Sequence, residues 1–428
     1  MKVGICSLGC KVNIYESEYV TGLLKDNNFE IVEFDDKADI YIINTCTVTN
    51  ESDRKSRKMI NHARRNNPNA IMVVMGCYSQ IKPEEIDADI IIGNKDKSRI
   101  VELINECIKN KEKIKKTYDL RHQVFENMEI KNFENHTRAF VKIQDGCNAF
   151  CSYCIIPYAR GNIRSKPLDL VIKEVTNLVN SGYKEIVLTG IHTGKYGVDI
   201  NSSLEQLLRE LIKIPNLYRL RLSSIEINEI TDGILDLMKN SDIIANHLHI
   251  PIQSGSDKIL KLMNRRYDLA YFKAQVNKIR KVRSNISLTT DLIVGFPNED
   301  EEDFKDTILT LKEISFTKIH TFPYSKRNGT KAALMEGQID GNIKKKRVRD
   351  VLTLSDKLEE TYYNKFIGDK FEIVTEVRKD GSIFGHTSNF IPVEIEDKIP
   401  ENEIVTVVID NVSGNKVKGH ILEKTKIV

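Results

Sequence analysis

Cys147, Cys151 and Cys154 follow one another with the spacing C-x3-C-x2-C. Three thiolates this close can hold three irons of one 4Fe–4S cluster, because iron–sulfur sites are built from closely spaced cysteines. No fourth cysteine lies nearby, so the fourth iron is left open to a chelating ligand. S-adenosylmethionine is the best candidate for that ligand, and the chemistry it implies is radical generation. Structural zinc is the main alternative. It usually takes four ligands in two-and-two spacing, and His136 is the only histidine within fifteen residues of the triplet. A disulfide framework has no support, since nothing marks the chain as secreted.

A second set is dispersed. Cys10 follows Ser7-Leu8-Gly9, Cys46 follows Ile43-Asn44-Thr45, and Cys77 follows Met75-Gly76. Each falls just past a short apolar run that reads as a strand. In an open α/β sheet the C-terminal strand ends face one crevice, the usual place for a ligand. Convergence there would make a second metal site. Cys107 lies in the helical run Val101–Ile108 and reads as a buried small hydrophobe. Cys6 is expected in core packing, because strand alternation turns its side chain away from Cys10.

The elements that must position these residues come in three groups. Lys2–Ser7, Asp39–Asn44, Ala70–Gly76 and Ile90–Ile92 are short and rich in Ile and Val, as buried parallel strands are. Helices are expected at about 14–27, 51–66 and 96–110, which gives an open α/β sheet. Residues 111–136 read as a charged linker. Strands then recur at Arg138–Gln144, Glu185–Thr189, Tyr218–Ser223, Asn246–Ile250, Ser287–Val294 and Thr317–Phe322. Helices at 168–181, 203–213, 228–239, 267–283 and 300–314 lie between them. Six β/α repeats imply a partial TIM-like barrel, with its site at the C-terminal strand ends. A long helix, about 342–365, follows. Beyond it, Lys370–Glu376, Ser382–His386, Pro392–Ile395, Ile404–Asn411 and Lys416–Leu422 read as strands of a small β barrel, separated by turns such as Lys379-Asp380-Gly381. Domains are expected at 1–115, 133–365 and 366–428.

The chain has 428 residues, 40% of them hydrophobic, and a net charge of +3. It contains no apolar run long enough for a membrane span and no signal peptide, so a cytoplasmic protein with reduced thiols is expected. The charge is unevenly placed. Glu51 to Arg65 carries six basic and two acidic residues, Lys326 to Arg349 eight and two, and Lys109 to Arg121 is also basic. Such stretches are either nucleic-acid contacts or solvated helix faces. The last module is slightly acidic, with 8 basic and 11 acidic residues.

The six cysteines, together with Leu8-Gly9-Cys10-Lys11-Val12-Asn13, Asn44-Thr45-Cys46-Thr47-Val48-Thr49, Gly76-Cys77-Tyr78-Ser79-Gln80 and the run Lys142–Gly161, resemble the radical-SAM methylthiotransferases over essentially the whole chain. Lys11-Val12-Asn13 and Lys142-Ile143-Gln144-Asp145 resemble the subgroup acting on N6-threonylcarbamoyladenosine next to the tRNA anticodon. The resemblance implies that Cys147, Cys151 and Cys154 hold the radical-generating 4Fe–4S cluster, and that S-adenosylmethionine is cleaved to a 5′-deoxyadenosyl radical that takes hydrogen from adenine C2. It implies that Cys10, Cys46 and Cys77 hold an auxiliary 4Fe–4S cluster carrying the sulfur. A tRNA substrate, an electron donor and a sulfur donor are implied as partners. The same scaffold would suit isopentenyladenosine in tRNA or a ribosomal-protein aspartate. A non-catalytic iron–sulfur RNA-binding protein is the alternative from another class.

The resemblance also assigns cofactor contacts. Tyr153 resembles the aromatic neighbour of the adenine, and Leu188-Thr189-Gly190 the turn meeting the methionyl amino group. Ser223-Ser224, Gln253-Ser254-Gly255 and Gly295-Phe296-Pro297 follow later strands, where small and polar residues permit close approach. Arg160 and Arg164 could hold the methionyl carboxylate or an RNA phosphate. Lys166 stands where an arginine is commoner, and a surface role suits it equally. The segment from Lys379 to Phe390 resembles the RNA-binding TRAM module, in which shape and stacking would count for more than bulk charge.

Overall fold

A computed structural model describes residues 1–131, 133, 137–378 and 380–424. His136, Lys379 of the expected turn, and part of the expected linker lie outside them.

The first layer is one parallel sheet. Its strands are β1 (Lys2–Ser7), β2 (Glu30–Val32), β3 (Ile40–Thr45), β4 (Ile71–Gly76), β5 (Ile90–Ile92) and β6 (Ile114–Lys116), in the order β2-β1-β3-β4-β5-β6. Helices α1 (Lys11–Asp26), α2 (Asn50–Asn66), α3 (Cys77–Ile81) and α4 (Ile100–Asn110) cover it. Every residue of β3 is buried, as a central strand with helices on both faces requires. Helix α2 is capped by the Thr49 side chain, carries Glu51 and Asp53 in its first turn, and ends on Arg64 and Arg65. Each choice complements the helix dipole. Two strands were not expected. β2 is a three-residue edge, and β6 falls in the lysine-rich stretch read as linker. Both pair alongside strands already in the sheet, β2 with β1 and β6 with β5, and so gain order from tertiary contact rather than local pattern.

The second group begins with β7 (Arg138–Lys142), β8 (Gln144–Asp145), α5 (Ile156–Arg160), β9 (Arg164–Ser165), α6 (Leu168–Asn180), β10 (Glu185–Thr189) and α7 (Leu204–Leu211). It continues with β11 (Arg219–Leu222), α8 (Asp232–Asn240), β12 (His247–His249), α9 (Asp257–Leu262), α10 (Leu269–Val282), β13 (Ser287–Val294), α11 (Glu301–Ile314), β14 (Lys318–Pro323) and α12 (Gly341–Asn364). Sheets β11-β10-β7 and β12-β13-β14 are joined by parallel bridges Leu220–Ile244 and Ser224–His249. The result is an open arc of six parallel strands, the expected partial barrel, with the helices packed outside on one large apolar core. One expected strand is broken: after Lys142 the chain leaves the arc, and β8 pairs antiparallel with β9. The first layer touches both edges of the arc. Helix α1 packs on β7, and Asp53 of α2 meets Arg327, past β14, at 2.9 Å.

The last group is a closed barrel ordered β15 (Lys370–Val377), β16 (Ile383–His386), β17 (Pro392–Ile395), β19 (Lys416–Lys424), β18 (Ile404–Ser413). It docks under the arc. Arg219 donates to the His386 carbonyl, and Arg221 to those of Thr387 and Ser388. The Phe390 ring is stacked between His247, at 4.8 Å, and His386, at 4.6 Å. That ring therefore fastens two domains together. Among the described residues no helix is long and apolar enough to cross a membrane.

Candidate functional site

The three dispersed cysteines end adjacent strands. Cys10 caps α1 after β1, Cys46 follows β3, and Cys77 opens α3 after β4. Their closeness depends on two glycines. Gly9 has φ +101°, and a Cβ there would lie 2.7 Å from Cys46 Cβ. Gly76 has φ +105°, and a Cβ there would lie 2.5 Å from the Thr45 carbonyl. No L side chain fits such a backbone at that range. Asn13 Nδ2 donates to the carbonyls of Leu8 and Thr45 and so ties two of the three loops together. Cys10 is solvent-accessible in a recess, and Cys46 and Cys77 are buried. Burial, with repulsion from the neighbouring thiols, pushes Cys46 up to about 11. A positively charged metal group would relieve both effects.

A buried charge network lies beside this set. Arg160 Nε is 3.3 Å from Cys77 Sγ, while its other nitrogens reach Asn13 Oδ1 at 2.7 Å, Glu16 at 2.9 Å and Asp145 at 3.1 Å. Lys142 meets Glu16 and Asp145, each at 2.7 Å, Lys97 meets Glu16 at 3.1 Å, and Arg164 lies 3.5 Å from Asp145. Burial works against both carboxyls, yet Arg160 and Lys142 hold them well below the usual carboxylate range. Four cations face two carboxylates here. The surplus of positive charge suits a neighbouring anionic group, and three thiolates are one.

The compact triplet occupies the loop after β8. Cys147 Sγ lies 3.3 Å from His192 Nδ1 and accepts from the Ala149 amide at 3.4 Å. Cys151 Sγ accepts from Arg265 Nη1 at 3.4 Å. Arg265 is itself held by Glu226 and by the Tyr267 hydroxyl. Glu229 Oε1 lies 2.8 Å from His192 Nε2. Burial, chiefly, pushes Cys154 up to about 12, with Cys151 adding to it. Among the described residues no three His, Cys, Asp or Glu side chains converge as one ion requires. Zinc draws thiolates in to about 2.3 Å, whereas a multi-iron cluster accepts a wider triangle. In donor set, three cysteines each, both triplets would suit an iron–sulfur cluster.

The other expected contacts divide. Tyr153 packs against Ile259, Met263, Phe296 and Tyr324 beside the compact triplet. The Thr189 carbonyl accepts from the Ile143 amide at 2.9 Å, and Gly190 lies against Gln144. Gln144 donates to the carbonyls of Asp145 and Gly146 and accepts from the His192 amide, which ties the cysteine loop to the turn after β10. Ser223 shares a 3.1 Å hydrogen bond with Thr193. Gln253, at φ +64°, pairs with Leu292 of β13 in an isolated parallel bridge. Three expectations need correction. Arg160 is wholly buried at the dispersed set, with no face left for a methionyl carboxylate or a phosphate. Arg164 is buried and donates to the carbonyls of Leu120 and Asn162. Lys166 is no surface residue: its ammonium is buried against Glu174 at 2.6 Å and the Met128 carbonyl at 2.7 Å. Cys107 packs in the core, whereas Cys6 is only half-buried.

His192, Glu229, Arg265 and Glu226 escaped the sequence reading. The run Gly190-Ile191-His192 offered only its place after β10 as a signal, and the segment Asn264-Arg265-Arg266-Tyr267, between α9 and α10, offered none.

This architecture has relatives. The profile described as Uncharacterized protein family UPF0004 matches residues 2–93, and that of the Radical SAM superfamily matches residues 141–311. The Threonylcarbamoyladenosine tRNA methylthiotransferase MtaB of Bacillus subtilis (strain 168) is 43% identical, covering 91% of this chain and 89% of that protein. The MtaB of Aquifex aeolicus (strain VF5) is 38% identical, covering 96% and 100%. The tRNA-2-methylthio-N(6)-dimethylallyladenosine synthase of Thermodesulfovibrio yellowstonii is 35% identical, covering 98% of each. In fold, the chain is similar to the radical S-adenosylmethionine methyltransferase TsrM from Kitasatospora setae, with TM-score 0.58 at 14% identity over 78% of this chain and 77% of that one. With two such profiles and full-length relatives at these identities, the chain belongs to the radical-SAM methylthiotransferase family and is an enzyme of that kind.

Proposed function

We propose that this enzyme converts N6-threonylcarbamoyladenosine beside the tRNA anticodon to its 2-methylthio derivative, in the cytoplasm. Cys147, Cys151 and Cys154 would hold a radical-generating 4Fe–4S cluster, and Cys10, Cys46 and Cys77 an auxiliary one. When bound, these groups supply one-electron cleavage of S-adenosylmethionine and the sulfur to be transferred. The residues do the rest. His192 and Arg265 present nitrogens to two ligand sulfurs, the kind of outer contact that orients ligands and tunes a metal group. Tyr153 and the apolar cluster behind it wall one side and exclude water. Thr189 ends β10, Gly190 and Ser223 directly follow β10 and β11, and Gln253 lies beside β13, on the side of the arc where a barrel cofactor would bind.

One observation carries the reading: Arg160, six residues past Cys154, reaches Cys77 in the other triplet. A reaction that joins a radical to a sulfur needs both sites in one fixed frame. The substrate choice is supported by the MtaB relatives, which reach 43% identity, against 35% for the dimethylallyladenosine synthase. Nucleoside mass spectrometry of tRNA from a strain lacking this gene tests it. The 2-methylthio-threonylcarbamoyl nucleoside should vanish and return with the gene. An unchanged level would overturn the substrate.

A further inference from the structure

Two basic stretches far apart in sequence, Glu51–Arg65 and Lys326–Arg349, meet in space. Asn50, at the start of α2, donates its amide to Ser325 Oγ at 3.0 Å and its side chain to the Lys326 carbonyl at 3.3 Å. Arg327 is buried across this seam, bonded to Asn50, Asp53 and Thr47. A cavity of about 280 Å³ opens there, lined by Ile81, Lys82, Ile155, Lys326, Arg327 and Asn328 among others. Ile155 directly follows Cys154, and Ile81 ends the helix that begins with Cys77. The cavity therefore lies on the seam between the two cysteine sets.

Its chemistry is that of a nucleotide site. Ile81 and Ile155 give apolar surface for a base or ribose. The nearby carboxylates are already answered, Asp53 by Arg327, Glu85 by Lys82 and Glu51 by Arg54. Two donors are left without acceptors. The Lys326 ammonium is exposed and has no partner among the described residues, and Arg327 Nε, in a residue 4% exposed, lacks a hydrogen-bond acceptor. A buried unpaired donor is costly and marks a place where an acceptor belongs. We propose that this cavity takes one unpaired nucleotide of the substrate RNA, flanking the modified adenosine, with its phosphate against Lys326 on the wall that Arg327 lines. The inference rests on the tRNA reading above and names a contact that reading does not assign.

The test is binding of an anticodon stem-loop RNA to the reconstituted enzyme, followed by fluorescence anisotropy across a salt series. Lys326→Ala should weaken binding several-fold, and should lower the slope of log K against log salt by about 0.7 to 0.9, as one phosphate contact does. Lys326→Glu should weaken it further, and Lys326→Arg should restore it. Release of 5′-deoxyadenosine without RNA should stay at the wild-type level in all three. Lys239→Glu, on the outer helix α8, controls for bulk charge. Wild-type affinity and slope in Lys326→Glu would overturn the site, as would an equal loss in Lys239→Glu. Failure of the wild-type enzyme itself to bind the RNA would instead overturn the function on which the site depends.

Discussion

Arg160 Nε stands 3.3 Å from Cys77 Sγ, although 83 residues separate the two in the chain. The same guanidinium holds Glu16 of α1 and Asp145 of β8, and Glu16 holds Lys142 of β7. The two cysteine-bearing lobes are thus joined by charge inside a buried seam, and the first prediction concerns that joint.

Removing Glu16 leaves Lys97, Lys142 and Arg160 buried with one fewer counter-charge. Breaking a buried pair from one side costs about 3 to 5 kcal/mol. Glu16→Gln should therefore lower the denaturation midpoint and weaken docking of the first layer. Urea unfolding followed by circular dichroism would show it. A midpoint equal to wild type would mean the network adds nothing to stability.

The two cysteine sets should separate in function. Cys151→Ala should abolish release of 5′-deoxyadenosine while leaving far-ultraviolet dichroism unchanged. Cys46→Ala should keep uncoupled release of 5′-deoxyadenosine and lose the methylthio product. Equal loss of both activities in Cys46→Ala would contradict distinct roles.

Gly9→Ala tests the dispersed set without touching a ligand. A methyl group at φ +101° would meet Cys46, at a strain of about 1 to 3 kcal/mol. Reconstituted Gly9→Ala should bind about half the wild-type iron and sulfide, since the compact triplet is unaffected. Full iron content, measured by colorimetric assay, would show that the dispersed cysteines do not bind a cluster in this way.

Acid stability should depend on Glu185. Burial opposes its ionisation, but Arg221 and Arg219 outweigh that and hold its carboxyl down at about 2. Its folded value lies below the unfolded one of about 4.3. The stability it contributes is full above the unfolded value and is lost as pH falls toward 2. Glu185→Gln should flatten the fall in melting temperature between pH 5 and 2, as scanning calorimetry would record. An unchanged acid limb would contradict the shift.

Much of this protein was legible in its sequence, because the signals were local. The spacing of Cys147, Cys151 and Cys154 pointed to an iron–sulfur site wherever the loop goes, because it involves only residues close in the chain. The Ile and Val runs of β3, β4 and β5 declare buried strands, since hydrophobic period depends only on neighbours a few residues away. The closed barrel at the end was readable from its turns and alternation.

Tertiary structure decided what depends on distant partners. The strands β2 and β6 are too short to order alone and exist because a neighbouring strand offers hydrogen bonds. Lys166 read equally well as a surface or a site residue, and it is neither, because Glu174 and the Met128 carbonyl enclose its ammonium. Arg160 looked ready for a phosphate, but folding turned it inward to Cys77, Asn13 and Glu16. A charged side chain carries no local mark of its partner, because Coulomb attraction acts through space and the fold alone sets which charges meet.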